Sequence, residues 1–348
     1  MMRTTSSSIS SSDLEPSAWG RFAIAFTAVA AALLAAIVLL AYVVDPYDTG
    51  RSTLLGKPGV RPQGPRTAAA SRGRDQAYNA AIFGNSHIQL LSPEHLKQAT
   101  GLDFVQLSVP ASGPKEQLVL IDWFLRHRDA PPQAIVISAD EEWCTLDPTM
   151  ANKKPFPFWL FSASPLEYAR NLVRYDILEE VPRRLAYLFG AGAERARPDG
   201  YWNYEPEYRN LGYATDPVLR QRLDKRPESD DRVLARDPLA GKRFFPAAER
   251  LADLARTLPA ATRLVVVFPP NYRNYLTLPN TARFYQDQAC KAAIRSAVAA
   301  RPHSAIIDWR VDRPENRDPD LYFDLTHYRL PIARLVEADV ARALAAMP

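Results

Sequence analysis

An uncharged, apolar run over residues 22–44 constrains this chain more than any other feature of its sequence. At about 1.5 Å per helical residue, the run is long enough to cross the hydrocarbon core of a bilayer with some tilt. It continues into Asp45 and Pro46 without the small-residue cleavage site that ends a signal peptide. A buried core helix is the alternative, which the length and the flanks fit poorly. The sequence therefore predicts an uncleaved, single-pass signal anchor that contacts the lipid bilayer through residues 22–44.

The charges beside this run bear on its orientation. Arg21 lies directly before the apolar run, whereas Asp45 and Asp48 follow it. Over the wider flanks the basic residues are nearly balanced, because Arg51 and Lys57 come soon after the two acids. The immediate flanks favour a cytoplasmic N-terminal tail and a domain on the other side of the membrane.

The remaining chain divides into three parts by composition. Residues 1–21 are rich in Ser and Thr and are predicted to form a disordered tail. Residues 45–78, rich in Gly, Pro and Arg, are typical of a juxtamembrane linker, either lying on anionic lipid head groups or simply solvated. Residues 79–348 have the pattern of one globular domain, with an insert at about residues 145–245 where regular alternation stops.

Composition excludes several classes of function. The net charge of +4 is too small to indicate nucleic-acid binding, and no basic helix or aromatic RNA-binding pattern supports it. The chain has two cysteines, Cys144 and Cys290, and no CxxC or Cys/His cluster that would favour a zinc site. We expect no metal or organic cofactor. Two buried free thiols are favoured over a disulfide, which the sequence leaves open.

Within residues 79–348, short apolar runs alternate with segments of helical periodicity. This alternation predicts an α/β domain with a parallel sheet covered by helices on both faces. Ligand sites in such folds lie beyond the carboxyl ends of the strands. The predicted strands are Ala80–Phe83, Phe104–Leu107, Ala134–Ser138, Arg263–Phe268 and Ala305–Asp308, and the main helices begin near Pro93, Lys115, Ala247, Ala282 and Pro331.

Polar residues follow the first two predicted strands. Residues 84–87 (GNSH) put Ser86 at a turn from a strand into a helix, where a nucleophile that develops negative charge is well placed. Taken alone, a serine that caps the next helix is the more common explanation. The second strand leads to Gly113, where a backbone N–H can approach a ligand closely, although taken alone an ordinary turn glycine is the more common explanation.

A histidine and an aspartate follow the fifth strand. A serine hydroxyl needs a base that works near neutral pH, and the base needs a carboxylate to fix its tautomer. Asp324 lies three positions before His327, so one turn can supply both groups. The other histidines fall in predicted helices, at the wrong edge of the sheet or directly beside Ser86, where neighbouring side chains diverge: His95, His127, His303 and His87.

These motifs, in this order on the strand–helix pattern, resemble those of the SGNH, or GDSL-like, hydrolases over about residues 79–347. The resemblance implies a three-layer α/β/α, flavodoxin-like fold with a parallel five-stranded sheet, preceded here by one transmembrane helix. It implies that Ser86 is the nucleophile, His327 the base and Asp324 its partner. It further implies that the backbone N–H groups of Gly113 and Ser86 donate to the oxyanion.

The sequence departs from the family pattern in two places. Asn85 stands where Asp is usual, as it does in related membrane-anchored branches. After the third strand, residues 138–143 (SADEEW) replace the expected Gly-x-Asn-Asp motif, whose Asn is an oxyanion donor. An ionised carboxylate there would repel an oxyanion, and a lost donor costs about 3–4 kcal/mol. Asn152 and Asn271 are candidate substitutes, and nothing in the sequence selects one.

The anchor and the following Asp-Pro-Tyr are similar to membrane-bound SGNH-like proteins that modify exported polysaccharides. This similarity implies a periplasmic domain on the inner membrane, an O-acyl ester of a glycan, such as an acetyl ester, as substrate, and a membrane-bound acyltransferase as a candidate partner. A catalytically silent module that binds glycan or a partner is the alternative.

Two aromatic groups in the insert have competing explanations. Tyr and Trp residues beside arginines at 195–245 suit either a sugar chain or the packing of a cap subdomain. The aromatic residues at 156–161 suit either the membrane interface or, preferably, the core.

Overall fold

The computed structural model describes residues 16–55, 57–60, 63–191, 197–207, 212–226 and 232–347. Five parallel strands form one sheet, and twelve α-helices lie within these residues. The strands are β1 (Ala80–Phe83), β2 (Phe104–Gln106), β3 (Ala134–Ser138), β4 (Arg263–Phe268) and β5 (Ser304–Asp308). The helices are α1 (Pro16–Val44), α2 (Pro65–Arg74), α3 (Pro93–Thr100), α4 (Pro114–Arg126), α5 (Glu142–Thr145), α6 (Pro165–Asn171), α7 (Tyr175–Leu188), α8 (Pro217–Asp224), α9 (Pro246–Thr257), α10 (Ala282–Ala299), α11 (Pro314–Arg317) and α12 (Leu330–Ala345).

The strand order is β2-β1-β3-β4-β5, which is the flavodoxin-like order of doubly wound sheets. In such a sheet the chain reverses its winding direction between β1 and β3, and ligands bind at the crevice that this creates. In register, Ile82 of β1 lies opposite Val136 of β3 and Gln106 of β2. The predicted α/β class with a parallel five-stranded sheet is confirmed.

Helices cover both faces of the sheet because alternate side chains of each buried strand point to opposite sides. On one face, Phe83 and Ile137 pack into a core with residues of α4, α9 and α10. On the other face, Ile82 and Val136 pack with residues of α3 and α12. The covered sheet leaves its carboxyl edge as the place where polar groups can meet.

Helix α1 is long and apolar enough to cross a membrane. It begins at Pro16, so the last residues of the predicted tail are helical, and residues 1–15 lie outside the described residues. Its apolar side chains are exposed along most of its length, and only its C-terminal turns are buried, at Ala41 and Val44.

The segment 45–78, interpreted above as a juxtamembrane linker, is instead packed into the domain. Asp45 and Asp48 are both buried. Asp45 accepts hydrogen bonds from the Thr49 hydroxyl (2.9 Å) and the Gly50 N–H (2.8 Å). Asp48 accepts from the Ser71 hydroxyl of α2 (2.6 Å) and from the Arg74 guanidinium. These long-range contacts could not be read from composition.

Three basic residues of this segment donate hydrogen bonds to backbone carbonyls of the domain. Arg51 donates to the Ser162 carbonyl, Lys57 to the Tyr187 carbonyl (2.8 Å), and Arg66 to the Pro110 carbonyl (2.5 Å). The expectation that this segment lies on anionic head groups or in solvent is therefore wrong for the half-buried Arg51 and Arg66, whereas Lys57 remains exposed.

The insert at about 145–245 contains helices α6, α7 and α8. Trp159 and Phe161 are buried in the core, as preferred for the aromatic residues of this stretch. Tyr204 is also buried, against Phe323, with the two ring centroids 6.1 Å apart, which favours packing over sugar stacking for this residue. Tyr208 lies outside the described residues.

Cys144 of α5 and Cys290 of α10 form a disulfide, so the expectation of two free thiols is wrong. The two residues are 146 positions apart in sequence, a separation at which no local pattern indicates their proximity. The bond joins the chain that follows β3 to a helix on one face of the sheet.

Candidate active site

Ser86 lies directly beyond the carboxyl end of β1, in a short 3₁₀ turn over Ser86–Ile88. The turn is capped by Asn85, whose side-chain oxygen accepts from the His87 N–H (3.0 Å). Gly84 before it has φ +156°, and a Cβ there would lie 2.7 Å from Cβ of Ser138 on β3. Only glycine fits this approach of the two strands, which brings Ser86 to the rim of the crevice between them.

Three side chains predicted to act together are in hydrogen-bond contact. Oγ of Ser86 lies 2.9 Å from Nε2 of His327. Nδ1 of the same ring lies 3.0 Å and 2.9 Å from the two carboxylate oxygens of Asp324. With a carboxylate on Nδ1, the neutral ring keeps its proton there and presents the Nε2 lone pair to the serine hydroxyl. This is the relation that a nucleophile, its base and the orienting acid require.

The turn that holds Asp324 and His327 also fixes the charge of the acid. Oδ1 of Asp324 accepts the N–H groups of Thr326 and His327, both at 2.8 Å. Burial alone would raise the pKa of Asp324, but the hydrogen bonds and charge of His327 and these N–H groups hold it well below its ordinary value. Asp324 is therefore ionised wherever His327 can act as a base.

Gly113 does not have a free N–H for an oxyanion. It is the N-cap of α4, and its N–H donates to Oε2 of the buried Glu116 at 2.9 Å. A glutamate at the third helical position commonly reaches back to the N-cap in this way. The role of Gly113 as an oxyanion donor is thus contradicted as long as this bond is kept.

A second carboxylate–imidazole pair lies on the other side of Ser86. Asp140, just after β3, has its carboxylate 3.3 Å from Nδ1 of His87, and it accepts from the Asn85 side chain and the Glu142 N–H (3.0 Å). The rings of His87 and His327 are 4.9 Å apart between centroids. Asp140 therefore takes the place of the expected Asn, with its charge surrounded by three donors.

His87 was set aside in the sequence because it adjoins Ser86. In the 3₁₀ turn both side chains nevertheless reach the same rim. Asp140 could have indicated a role for His87. In this strand order β1 and β3 are neighbours, so the residues that follow the two strands lie side by side.

A cavity of about 340 Å³ lies at this rim. Three acids and a histidine are among the residues that line it, which are His87, Asp140, Glu141, Glu142, Thr145, Pro269, Asn271, Tyr275, Arg310 and Thr326. Burial, then the Asp140 charge, raises the pKa of Glu142 to about 7, against its hydrogen bonds from Asn152. The cavity is partly enclosed and combines these charged groups with apolar surface, as ligand sites commonly do.

The two asparagines considered as replacement donors differ in their surroundings. Nδ2 of Asn152 is already bonded to the Ala111 carbonyl and the Glu142 carboxylate, each at 3.2 Å. Asn271 is buried beyond the carboxyl end of β4 and is the amide side chain that lines the cavity. Of the two asparagines, only Asn271 lines the cavity, whose lining does not include Ser86 itself.

The comparisons with known proteins add no identification. No family model matches this chain, and no curated protein matches it.

Proposed function

We propose that this protein is a membrane-anchored serine esterase or O-acyltransferase of the SGNH type. The observation that carries the proposal is the continuous contact from Ser86 through His327 to Asp324 at the carboxyl edge of the sheet. The flavodoxin-like strand order and the position of Ser86 at the crevice between β1 and β3 support it. A serine that merely capped its turn would need no such partners.

In the proposed reaction, Oγ of Ser86 attacks the carbonyl carbon of an acyl ester while Nε2 of His327 takes the hydroxyl proton. The tetrahedral intermediate collapses, the bond from the carbonyl carbon to the alcohol oxygen breaks, and His327 returns the proton to the departing alcohol. His327 then takes a proton from water or from an acceptor hydroxyl, whose oxygen attacks the acyl carbon. As this second tetrahedral intermediate collapses, the bond from the acyl carbon to Oγ breaks and His327 returns the proton to Ser86. Asp324 stabilises the imidazolium at each of these stages.

For the oxyanion, we infer that the donors are the Ser86 backbone N–H and the Asn271 side chain. Among the described residues, the Ser86 N–H has no hydrogen-bond partner within the protein. Asn271 is neutral, unlike Asp140. Since one such donor contributes about 3–4 kcal/mol, one amide can replace what the substitution of the usual Asn removes.

For location, we propose a single pass through α1 with the domain outside the cytoplasm, on the periplasmic side of an inner membrane. The length of α1 and the Cys144–Cys290 disulfide support this, because such bonds persist in oxidising compartments. The proposed substrate is an acyl ester, such as an acetyl ester, of an exported glycan, with a membrane-bound acyltransferase as candidate partner.

The test is hydrolysis of a small activated acetyl ester by the full chain in lipid nanodiscs. We expect turnover that falls to background in Ser86→Ala, with Ser296→Ala, an exposed serine on α10, as the matched control that keeps it. Turnover that persists in folded Ser86→Ala would refute the proposal.

One observation favours the second candidate, a catalytically silent module that binds a glycan or partner. Two usual oxyanion donors are missing, since Gly113 is bonded to Glu116 and Asp140 replaces an amide. This candidate predicts no turnover and no covalent labelling of Ser86 by a fluorophosphonate in a folded sample.

A further inference from the structure

The position along α1 at which the domain begins to pack determines how close the domain lies to a bilayer that α1 crosses. Apart from the half-buried Val38, the helix is exposed through Leu40, and the domain buries it at Ala41 and Val44. The stretch from Phe22 to Leu40 is roughly 27 Å long at the rise of an α-helix, which is close to the thickness of a hydrocarbon core. Residues 41–44, and whatever packs on them, then lie at the membrane–water interface.

Helices α6 and α7 are the elements packed there. Helix α7 contacts α1 directly. The Tyr168 ring of α6 lies 6.4 Å from the Tyr42 ring of α1, and its hydroxyl is 3.3 Å from Oδ1 of Asp45. Because Asp45 and Asp48 are buried and bonded, the domain is held on the end of α1 rather than tethered to it.

The outer side of these two helices is apolar where a soluble surface would be polar. Leu166 is 58% exposed and Tyr175 is 76% exposed, and Val173 and Leu178 between and beside them are also exposed. The opposite side of α7 is buried through Ile177 and Val181, so the core does not need these four residues. We call Leu166, Val173, Tyr175 and Leu178 the α6–α7 surface.

The charges near this surface are largely compensated. Asp176 pairs with Arg174 (3.0 Å), and Glu179 lies 3.8 Å from Arg183. Arg170 on α6 is exposed as well. Paired acids with an exposed arginine are compatible with lipid head groups, and tyrosine and leucine are common at that depth.

We propose that the α6–α7 surface rests in the interfacial layer of the same bilayer that α1 crosses, and so holds the catalytic domain in one orientation to the membrane. The inference rests on α1 inserting and is independent of the esterase activity. The occupant is lipid because α7 contacts α1 and Tyr168 of α6 contacts Tyr42 where α1 leaves the bilayer, and clustered exposed apolar side chains mark a membrane or partner contact.

The experiment places an environment-sensitive NBD label at single cysteines in the full chain, in nanodiscs of phosphatidylcholine and phosphatidylglycerol with shallow or deep doxyl-labelled lipids. The native cysteines are paired, so the introduced thiol is the reactive one. Labels go at Leu166→Cys and Tyr175→Cys, with Val218→Cys on α8, 53% exposed, as the matched control. Leu33→Cys in α1 reports insertion.

We expect shallow doxyl lipid to remove about half of the fluorescence at 166 and 175 and little at 218, with Leu33 quenched by deep doxyl. Quenching at 33 with none at 166 and 175 would overturn the proposal. If those two labels then became shielded from aqueous iodide only in native membranes, a protein partner would be the occupant instead. An unquenched label at 33 would overturn the insertion of α1 and this proposal together.

Discussion

Two carboxylate–imidazole pairs flank Ser86. They consist of the same residue types, but they contact different groups. Asp324 has a side chain that is 32% exposed and sits 2.9 Å from a ring that contacts the serine hydroxyl. Asp140 is 4% exposed and divides its oxygens among Asn85, His87 and a backbone N–H. The first pair is directed at the nucleophile, whereas the second fixes the turn that presents it.

The difference shows that residue identity alone does not assign a catalytic role. His327 has one ring nitrogen on a carboxylate and the other on Ser86, while His87 has Asp140 on Nδ1 and faces the cavity. Removing the Asp324–His327 pair should therefore abolish ester hydrolysis, and removing the Asp140–His87 pair should mainly lower the stability of the turn that holds Ser86.

The largest expected effect comes from the two histidines. His327→Ala should lower kcat by about 10⁴-fold, because Ser86 loses its base. His87→Ala should lower it by about tenfold or less. Steady-state ester hydrolysis by both variants checks this, and equal losses would mean that both rings act on the reacting atoms.

The two aspartates should separate activity from stability. Asp324→Asn should lower kcat by about 10³–10⁴-fold with little change in thermal midpoint, since the ring loses its tautomer and its charge partner. Asp140→Asn should cost about 2–3 kcal/mol of stability, because a buried acceptor of three donors becomes partly a donor. Thermal unfolding and hydrolysis measured on both variants give the comparison, which a stable Asp140→Asn protein would contradict.

The two asparagines sharpen the oxyanion assignment. Asn271→Ala should lower kcat by about 10²–10³-fold with a nearly unchanged KM, since the donor acts only on the developing charge. Asn152→Ala, whose amide is already bonded to Ala111 and Glu142, is the matched control. If Asn152→Ala had the larger effect, the donor would lie on that side of the cavity.

The smallest effect concerns Glu142 beside Asp140. The folded protein keeps the Glu142 proton up to about pH 7, whereas the unfolded chain releases it near 4.5, so this residue lowers stability as pH rises through that window. Glu142→Gln should remove that slope and add on the order of 1 kcal/mol at pH 8. Denaturant unfolding at pH 5 and pH 8 measures it, and an unchanged slope would place the raised pKa elsewhere.

Much of the fold could be predicted because β1, β3 and β4 are continuous apolar runs, and their predicted bounds match the structure. Ser86 and His327 were predicted by their order on the strands and by elimination. The predictions of a juxtamembrane linker and of two free thiols were wrong because they depended on distant contacts, those of Asp48 with α2 and of Cys144 with Cys290. The Gly113 error was avoidable, since Glu116 three residues later is a local capping signal.

The measurement that tests the account most directly is intact-mass analysis of the folded full chain after reaction with a fluorophosphonate. We predict one adduct, located on Ser86, which is lost in Ser86→Ala and His327→Ala and retained in His87→Ala. An adduct that survives Ser86→Ala, or a folded protein that takes no adduct at all, would contradict the assignment of Ser86 as a nucleophile activated by His327.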